Sequence, residues 1–244
     1  MSTSAHWTEG PLVGFDTETT GVSPKHSRLV TASIIVTGDE PTTYGWLANP
    51  GVEIPTAAQE VHGISTAKAR AEGRDPIEVL TEIRDILVSH LEQKLPVVAF
   101  NASFDLSLME SELARHGLAT ITDQLGGEPS PVLDPLVLDR LLDPYRKGPR
   151  RLETLIGIYR IDAGGFHDAH NDVVATLKLL KAMTAEHAVL KVSSLRKLHE
   201  LQKQAHEKWA TGFNEWLASK GRTPDADPSW PLGSDLGQPD DESE

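Results

Sequence analysis

The sequence contains no cysteine among its 244 residues, which excludes disulfides, thiol catalysis and cysteine-ligated zinc. Aromatic residues make up only 5% of the chain, and no apolar run is long enough to span a membrane. The first ten residues have neither the basic nor the apolar segment of a secretory signal peptide. We therefore expect a cytoplasmic protein with no membrane partner.

Positive charge is also scarce, because 23 Lys and Arg face 36 Asp and Glu, for a formal net charge of −13. Seven of these acids lie after Thr223, where there is no Lys or Arg, which leaves 29 acids against 23 bases in the rest of the chain. A negative protein is a poor general binder of nucleic acid, but acids that hold divalent cations invert the local field. The charge balance thus permits a local nucleic-acid site.

The order of the hydrophobic patterns predicts the fold class. Strands are predicted at 11–17, 28–38, 42–48 and 96–101, with a further brief strand near 130. Helices are predicted at 75–94, 103–117, 152–161 and 168–187, and in the segment up to 144. A strand meander followed by alternating strands and helices predicts an α/β protein with a mixed β-sheet flanked by helices.

We divide the chain into four parts: a flexible leader (1–10), a folded domain (11–187), a C-terminal amphipathic helix (188–220) and an acidic, disordered tail (221–244). The helix carries an apolar stripe that ends at Trp209, Phe213 and Trp216. We expect this stripe to pack on the body or on a second copy of the chain. The tail is rich in Pro, Gly and Asp, a composition typical of disorder.

Two acids lie one residue apart in the first predicted strand, within "FDTETTG" (15–21). Side chains alternate between faces along a strand, so Asp16 and Glu18 share a face at a spacing of roughly 7 Å. Two like charges near a sheet core repel each other and lose hydration, which is costly unless a cation compensates. Taken alone, the motif has a plainer explanation, an exposed strand end or a turn acid before Gly21.

A third acid, Asp105, lies in "NASFD" (101–105), just after the apolar strand at 96–101. Ser103 can cap the helix that follows, and an acid in the first turn is favoured by the helix dipole. That structural role is sufficient for an isolated Asp. A first-turn side chain at the end of an apolar strand nevertheless points toward the open edge of the sheet.

The last cluster is "FHDAHND" (166–172). Asp168 is a candidate N-cap, which places His167 just outside the helix and Asp172 one turn inside it. A loop-borne imidazole beside a helix-borne carboxylate suits a mobile general base next to a fixed metal ligand. His170 suggests zinc, but with carboxylates dominating, Mg²⁺ or Mn²⁺ fits better, and we interpret His170 as a solvent-facing or packing residue.

These motifs together resemble those of the DEDDh (DnaQ-like) 3′–5′ exonuclease family, which includes the epsilon proofreading subunit of bacterial DNA polymerase III. The resemblance runs from about Leu12 to about Leu180. It includes "FDTETTG", "NASFD", the H-x4-D pair formed by His167 and Asp172, and "VHGIS" (61–65), which looks like a loop found between the first two motifs of the family.

The resemblance implies a ribonuclease-H-like fold with a C-terminal helical extension, the folded domain being the exonuclease domain. It implies two divalent cations, Mg²⁺ or Mn²⁺. Asp16, Glu18 and Asp172 would hold one, and Asp16 would bridge to the second, which Asp105 supports. His167 would be the general base.

Further residues are expected at the substrate. The resemblance implies that Val61 and His62 line the pocket of the terminal nucleotide, and it also implicates Thr19, Asn101 and Phe104 in substrate contacts. The basic loop "RKGPRR" (146–151) lies between the second and third motifs, and its Arg150 and Arg151 are candidate phosphate contacts, although a solvated loop is an equal alternative.

The implied activity is release of nucleoside 5′-monophosphates from DNA 3′ ends by two-metal-ion hydrolysis, in proofreading, repair or end trimming. The expected partner is nucleic acid with a free 3′ end, single-stranded DNA above all. A DNA polymerase and a second copy bound through the C-terminal helix are further candidate partners. The alternatives are an oligoribonuclease-like exoribonuclease, a catalytically silent nucleic-acid-binding scaffold, and a mostly helical HD-type phosphohydrolase, with which the early strands disagree.

Overall fold

The computed structural model of the protein describes residues 6–162, 168–234 and 236. The strands in these ranges are β1 (Val13–Thr19), β2 (Leu29–Val36), β3 (Thr42–Leu47), β4 (Val97–Val98) and β5 (Val132–Leu133). The helices are α1 (Thr56–His62), α2 (Thr66–Glu72), α3 (Pro76–Glu92), α4 (Ala102–Arg115), α5 (Ile121–Leu125), α6 (Pro135–Leu142), α7 (Leu152–Ile158), α8 (Ala169–Glu186), α9 (Ala188–Val192) and α10 (Leu195–Ser219).

The strands form one mixed sheet in the order β3-β2-β1-β4-β5. The first three strands pair antiparallel as a meander, and β4 and β5 join the other side of β1 in parallel. The central strand is therefore β1. This order agrees with two general tendencies, that consecutive strands are neighbours and that parallel strands lie where both faces of the sheet are covered. The prediction of an α/β protein with a mixed sheet flanked by helices is confirmed.

Two hydrophobic layers enclose the sheet, because side chains of successive strand residues point to opposite faces. Phe15 belongs to the layer that contains Ile83 and the other buried residues of α3 and α4. Val98 belongs to the layer that contains Leu179 of α8, together with residues of α7 and α9. The sheet thus has α3 and α4 on one side and α8 on the other.

Gly14 allows α8 to approach β1 closely. A Cβ atom at this position would lie 2.5 Å from Cγ1 of Val173 and 2.9 Å from Cδ1 of Leu177, both on α8. These separations are shorter than carbon–carbon contact, so only glycine permits the observed packing. Because Asp172 precedes Val173, the same approach carries the first turn of α8 to the middle of β1.

Helix α10 covers the edge of the sheet at β5, where unpaired backbone groups would otherwise be exposed. The side-chain amide of Gln202 donates to the carbonyl of Val132 at 3.0 Å and accepts from the amide of Asp134 at 2.7 Å. Nδ1 of His199 accepts from the amide of Val132 at 3.2 Å. Two buried polar side chains therefore pair with β5 much as a further strand would.

Residues near both ends of the described chain pack against the body, although a flexible leader and a disordered tail were predicted. Trp7, in the predicted leader, packs against the α8 layer and donates from Nε1 to the carbonyl of Ser193 at 2.9 Å. Trp230, in the predicted disordered tail, is only 2% exposed and joins the core on the α3–α4 side. In each segment, burial of the apolar surface of one tryptophan offsets the conformational entropy that the segment loses when it becomes ordered.

None of the helices in the described ranges is both long and apolar enough to cross a membrane.

Candidate active site

Three carboxylates from β1 and α8 meet at the centre of the molecule. Asp16 and Glu18 lie on β1, on the same face as Gly14, and therefore face α8. Asp172 lies in the first turn of α8. One carboxylate oxygen from each of these acids lies within 4.8 Å of the others, and all three side chains are half-buried.

The electrostatics of this cluster favour a bound cation. Burial raises the pKa of Asp16 well above its usual range, and the nearby charges of Asp105, Asp172, Glu18 and Asp168 raise it further. The pKa of Glu18 rises to about 7, first because of burial and then because of Asp172 and Asp168. Oxygen ligands with crowded negative charge are what a hard divalent cation requires. The donor set therefore fits Mg²⁺ or Mn²⁺.

Asp105 lies beside this cluster but outside the group of three. Its Oδ1 accepts hydrogen bonds from the amide and the hydroxyl of Thr17, at 3.0 and 2.6 Å, and Thr17 faces the opposite side of β1 from Asp16. Burial raises the pKa of Asp105 to about 7 despite these bonds. The predicted first-turn position is correct, but the N-cap of α4 is Asn101, in the left-handed region, and not Ser103.

Asp134 is a buried carboxylate that the sequence analysis missed. It accepts from the amides of Asn101 at 3.0 Å, Ala102 at 2.9 Å and Leu136 at 2.9 Å. The indole of Trp230 adds a hydrogen bond at 3.4 Å. Asp134 thus caps α6 and also fixes the start of α4, the helix that carries Asp105. An Asp before Pro signals the cap on α6, but nothing local in the sequence signals the contact with α4.

The third motif begins α8 as predicted. Asp168 is the N-cap and accepts from the amides of His170 at 3.0 Å and Asn171 at 3.3 Å. The side chain of His170 is exposed. His167, the predicted general base, lies outside the described residues.

A cleft of about 280 Å³ opens beside the carboxylates, and Glu18, His62 and Asp168 are among the residues that line it. Val61 and His62 form the last turn of α1 rather than a loop, and Gly63 ends that helix. Val61 is 51% exposed. Nδ1 of His62 accepts from the amide of Ile64 at 3.1 Å, and burial lowers the pKa of His62, which favours the neutral ring.

The other predicted substrate contacts lie near the same edge of the sheet. Thr19 is buried at the end of β1 and donates from its hydroxyl to the carbonyl of Gly21 at 2.5 Å. Asn101 is exposed at the start of α4, and Phe104 is half-buried in the first turn beside Asp105.

The basic loop does not present all of its charges to solvent. Arg150 and Arg146 both form ion pairs with Asp139, whose side chain is only 2% exposed. Arg150 therefore supplies countercharge to a buried carboxylate, and its role as a phosphate contact remains a prediction. Arg151 is exposed and is the N-cap residue of α7.

Comparisons with known proteins agree with this geometry. The family model RNase_T, described as an exonuclease, matches residues 13–180. A PolC-type DNA polymerase III from Lacticaseibacillus paracasei is 26% identical over 178 residues, which cover 72% of this chain and 11% of that protein. The PolC-type DNA polymerase III of Streptococcus agalactiae serotype III is 31% identical over 175 residues, which cover 70% and 11%. The matched region thus spans about a tenth of these relatives.

Solved structures of exonuclease I share the fold. The zinc-bound complex of E. coli exonuclease I with single-stranded DNA has a TM-score of 0.60 and 21% identity, over 74% of this chain and 41% of that one. Exonuclease I from Methylocaldum szegediense has a TM-score of 0.59 and 21% identity, over 85% and 46%. With the family model covering more than half of the sequence, this chain belongs to the DnaQ-like exonuclease family.

Proposed function

We propose that the protein is a metal-dependent 3′–5′ exonuclease of the DEDDh type that releases nucleoside 5′-monophosphates from DNA. The observation that carries the proposal is the meeting of Asp16, Glu18 and Asp172, whose carboxylate oxygens lie within 4.8 Å of one another on an exonuclease fold. A fourth acid, Asp105, is near enough to raise the pKa of Asp16.

These acids would hold two divalent cations, Mg²⁺ or Mn²⁺. When bound, such a pair activates water and stabilises the leaving oxygen of a phosphodiester. Asp16, Glu18 and Asp172 would hold the first ion, and Asp105 would support the second. Asp105 keeps its place through its bonds to Thr17, so its role includes positioning as well as charge.

His167 is the proposed general base. The next residue, Asp168, is the N-cap of α8. An imidazole with a pKa near its usual value can accept a proton from water at neutral pH. The proposed assignment rests on the H-x4-D spacing of His167 and Asp172.

The cleft beside Glu18 is the proposed site of the terminal nucleotide. His62, whose Nδ1 accepts from the amide of Ile64, would carry its proton on Nε2 when neutral, and this atom is buried without a hydrogen-bond partner among the described residues. Val61 offers an exposed apolar surface at the same turn, and Thr19, Asn101, Phe104 and Arg151 are the other proposed contacts.

Single-stranded DNA with a free 3′ end is the proposed substrate, and proofreading, repair or end trimming the proposed role. The support comes from the relatives, which are named as DNA polymerases, and from a structural neighbour named as a complex with single-stranded DNA. A DNA polymerase is accordingly a proposed partner.

The experiment is digestion of 3′-labelled single-stranded DNA, mismatched duplex and short RNA with Mg²⁺ or Mn²⁺. We expect mononucleotide release, fastest from single-stranded DNA, and none in excess chelator or with Asp16→Asn. Asp39→Asn, which changes an exposed acid in the bend that follows β2, is the matched control and should digest normally. Release that persists in chelator would overturn the proposal, and a preference for short RNA would indicate the exoribonuclease alternative.

A further inference from the structure

A second cavity, which we call the aromatic groove, lies between α10 and the segment that follows α6. Its volume is about 570 Å³, and it is lined by three aromatic residues of α10 and by basic residues of α6, α10 and the segment 144–150. The carboxylate cluster, by contrast, lies on β1 and α8. The groove is therefore a separate surface of the molecule.

The aromatic residues form a continuous stack along α10. The rings of Trp209 and Phe213 are 5.5 Å apart at an interplanar angle of 13°, and those of Phe213 and Trp216 are 5.6 Å apart at 23°. The guanidinium carbon of Arg140 lies 3.4 Å from the ring centre of Trp209 and closes that end of the stack. The other end is Trp216, which is 47% exposed.

This stack is not the face by which α10 packs on the body. The residues of α10 that the body buries include Leu198, Gln202, His206 and Leu217. The stripe ending at Trp216 was expected to pack on the body or on a second copy, and the described chain buries its outer end only in part. A pre-stacked row of rings that ends in an exposed tryptophan offers an apolar surface of the kind that marks a binding site.

The walls of the groove are positively charged in a chain whose formal net charge is −13. Arg140, Arg146, Arg150 and Lys208 line it, and no Asp or Glu is found among its described lining residues. Of these cations, Arg146 and Arg150 are ion-paired with the buried Asp139, whereas Arg140 lies against the ring of Trp209 and Lys208 is exposed.

Arg146 also approaches Asp143, with its Nε 3.8 Å from the carboxylate. Among the described residues, Nε and Nη1 of Arg146 are buried and have no hydrogen-bond partner. Because these donors are buried, the guanidinium of Arg146 serves the ion pairs with Asp139 and Asp143 rather than a ligand from solvent.

We propose that the aromatic groove binds the single-stranded part of the nucleic-acid substrate, away from the cleft at the carboxylates. A base would continue the stack on the exposed ring of Trp216, and the adjoining phosphates would lie along the cationic wall, of which Lys208 is the exposed member. Stacked rings beside a row of cations are the usual means of holding single strands without regard to sequence. This proposal rests on the proposed function only for the identity of the substrate.

The test measures binding alone, by fluorescence anisotropy of a labelled oligothymidylate in excess chelator, so that no cleavage occurs. Trp216→Ala should weaken binding by about 5- to 100-fold, the range for loss of one base stack, and Trp216→Phe should recover most of it. Lys208→Gln should lower the slope of log K against log salt by roughly 0.7, the share of one phosphate contact on a single strand.

Lys197→Gln is the matched control, since Lys197 lies on the same helix, exposed and outside the groove, and it should bind as the wild type does. Unchanged affinity for Trp216→Ala and an unchanged salt slope for Lys208→Gln would overturn the proposal, whether or not the protein digests DNA. A concentration-dependent dimer that Trp216→Ala dissociates, with oligonucleotide affinity unaltered, would instead assign the groove to a second copy of the chain. Groove-dependent binding without digestion would contradict the proposed function and leave this proposal in place.

Discussion

A buried carboxylate and a half-buried carboxylate cluster in this molecule are balanced in different ways. Asp139 is paired with Arg146 and Arg150. The strongest influences on the pKa of Asp16 and Glu18 are instead burial and other carboxylates, all of which raise it. The countercharge of Asp139 thus comes from two arginines of the same chain. Asp16 and Glu18 are instead surrounded by further acids, so we expect their countercharge to come from a bound cation.

The largest expected effect comes from substituting Asp16, which lies in the carboxylate cluster where neighbouring acids raise the pKa. Asp16→Asn should lower the turnover of 3′-labelled DNA by at least about a hundredfold, since even the outer partners of metal ligands cost 10- to 100-fold when removed. In excess chelator the same variant should melt at a higher temperature than the wild type, because it removes a repelled, half-buried charge. If Asp16→Asn loses activity but melts at a lower temperature than the wild type in chelator, repulsion among the acids does not destabilise the metal-free protein.

Substitution of Asp139, which is paired with two arginines, should have the opposite effect on stability. Asp139→Asn should lower the free energy of unfolding by about 3 kcal/mol, the lower end of the range for breaking a buried ion pair, since two arginines lose their countercharge. Denaturant unfolding in chelator measures this. Asp143→Asn, which alters a more exposed acid of the same segment, is the control and should cost well under 1 kcal/mol.

A third prediction concerns how the acids are brought together. Gly14→Ala places a Cβ atom against Val173, so α8 must move away from β1, with a loss of about 1–3 kcal/mol as in other overpacked cores. Digestion rate and thermal melting should both fall. The double variant Gly14→Ala with Val173→Ala removes the closest of these clashes and should recover part of the activity, since Cδ1 of Leu177 still lies 2.9 Å from the new methyl group. If Gly14→Ala behaves as the wild type does, the close approach does not position Asp172.

The smallest effect is a pH dependence. Because the pKa of Glu18 is about 7 in the fold and about 4.5 in the unfolded chain, the folded state binds more protons in this window. The free energy of unfolding therefore falls as the pH rises from about 4.5 through 7. Asp16→Asn removes the titration of Asp16, whose pKa is also raised in the fold, so the stability of this variant should fall less steeply over the same range.

The measurement is the difference in melting temperature between Asp16→Asn and the wild type, in chelator, at pH 5 and pH 8. Buried histidines such as His199 and His206 have lowered pKa values, but they titrate alike in both proteins and cancel in the difference. We expect the difference to be larger at pH 8 by roughly 2–4 °C, about the effect of 1 kcal/mol in a domain of this size. A difference independent of pH would contradict the raised pKa values.

Much of the sheet could be predicted because its signals are local. The apolar runs around Phe15 and Val98 and the β-branched run of β2 identify the strands, and alternation places Asp16 and Glu18 on one face. The short helices α1, α2 and α5 were missed. The described residues of α1 include no buried side chain, so it has no apolar period to recognise.

The rest depends on contacts between distant segments. Gln202 and His199 look like surface residues of an amphipathic helix, yet they are buried because β5 needs partners at the sheet edge. Asp134 and Trp230 are 96 positions apart, and their contact follows no sequence period. The pairing of Arg150 with Asp139 likewise became visible only in the fold. Local patterns predict which residues are candidates for catalysis or binding, whereas tertiary packing decides which of them already have a hydrogen-bond or ion-pair partner within the chain.

Binding of Mn²⁺ tests the central claim most directly. Calorimetric titration of the wild-type protein at pH 8, with Asp39→Asn as a matched control, should give Mn²⁺ binding in both. Asp16→Asn and Glu18→Gln should each bind at least about a hundredfold more weakly, since each removes a charged ligand oxygen. Mn²⁺ binding of equal strength in Asp16→Asn, Glu18→Gln and the wild type would contradict the account.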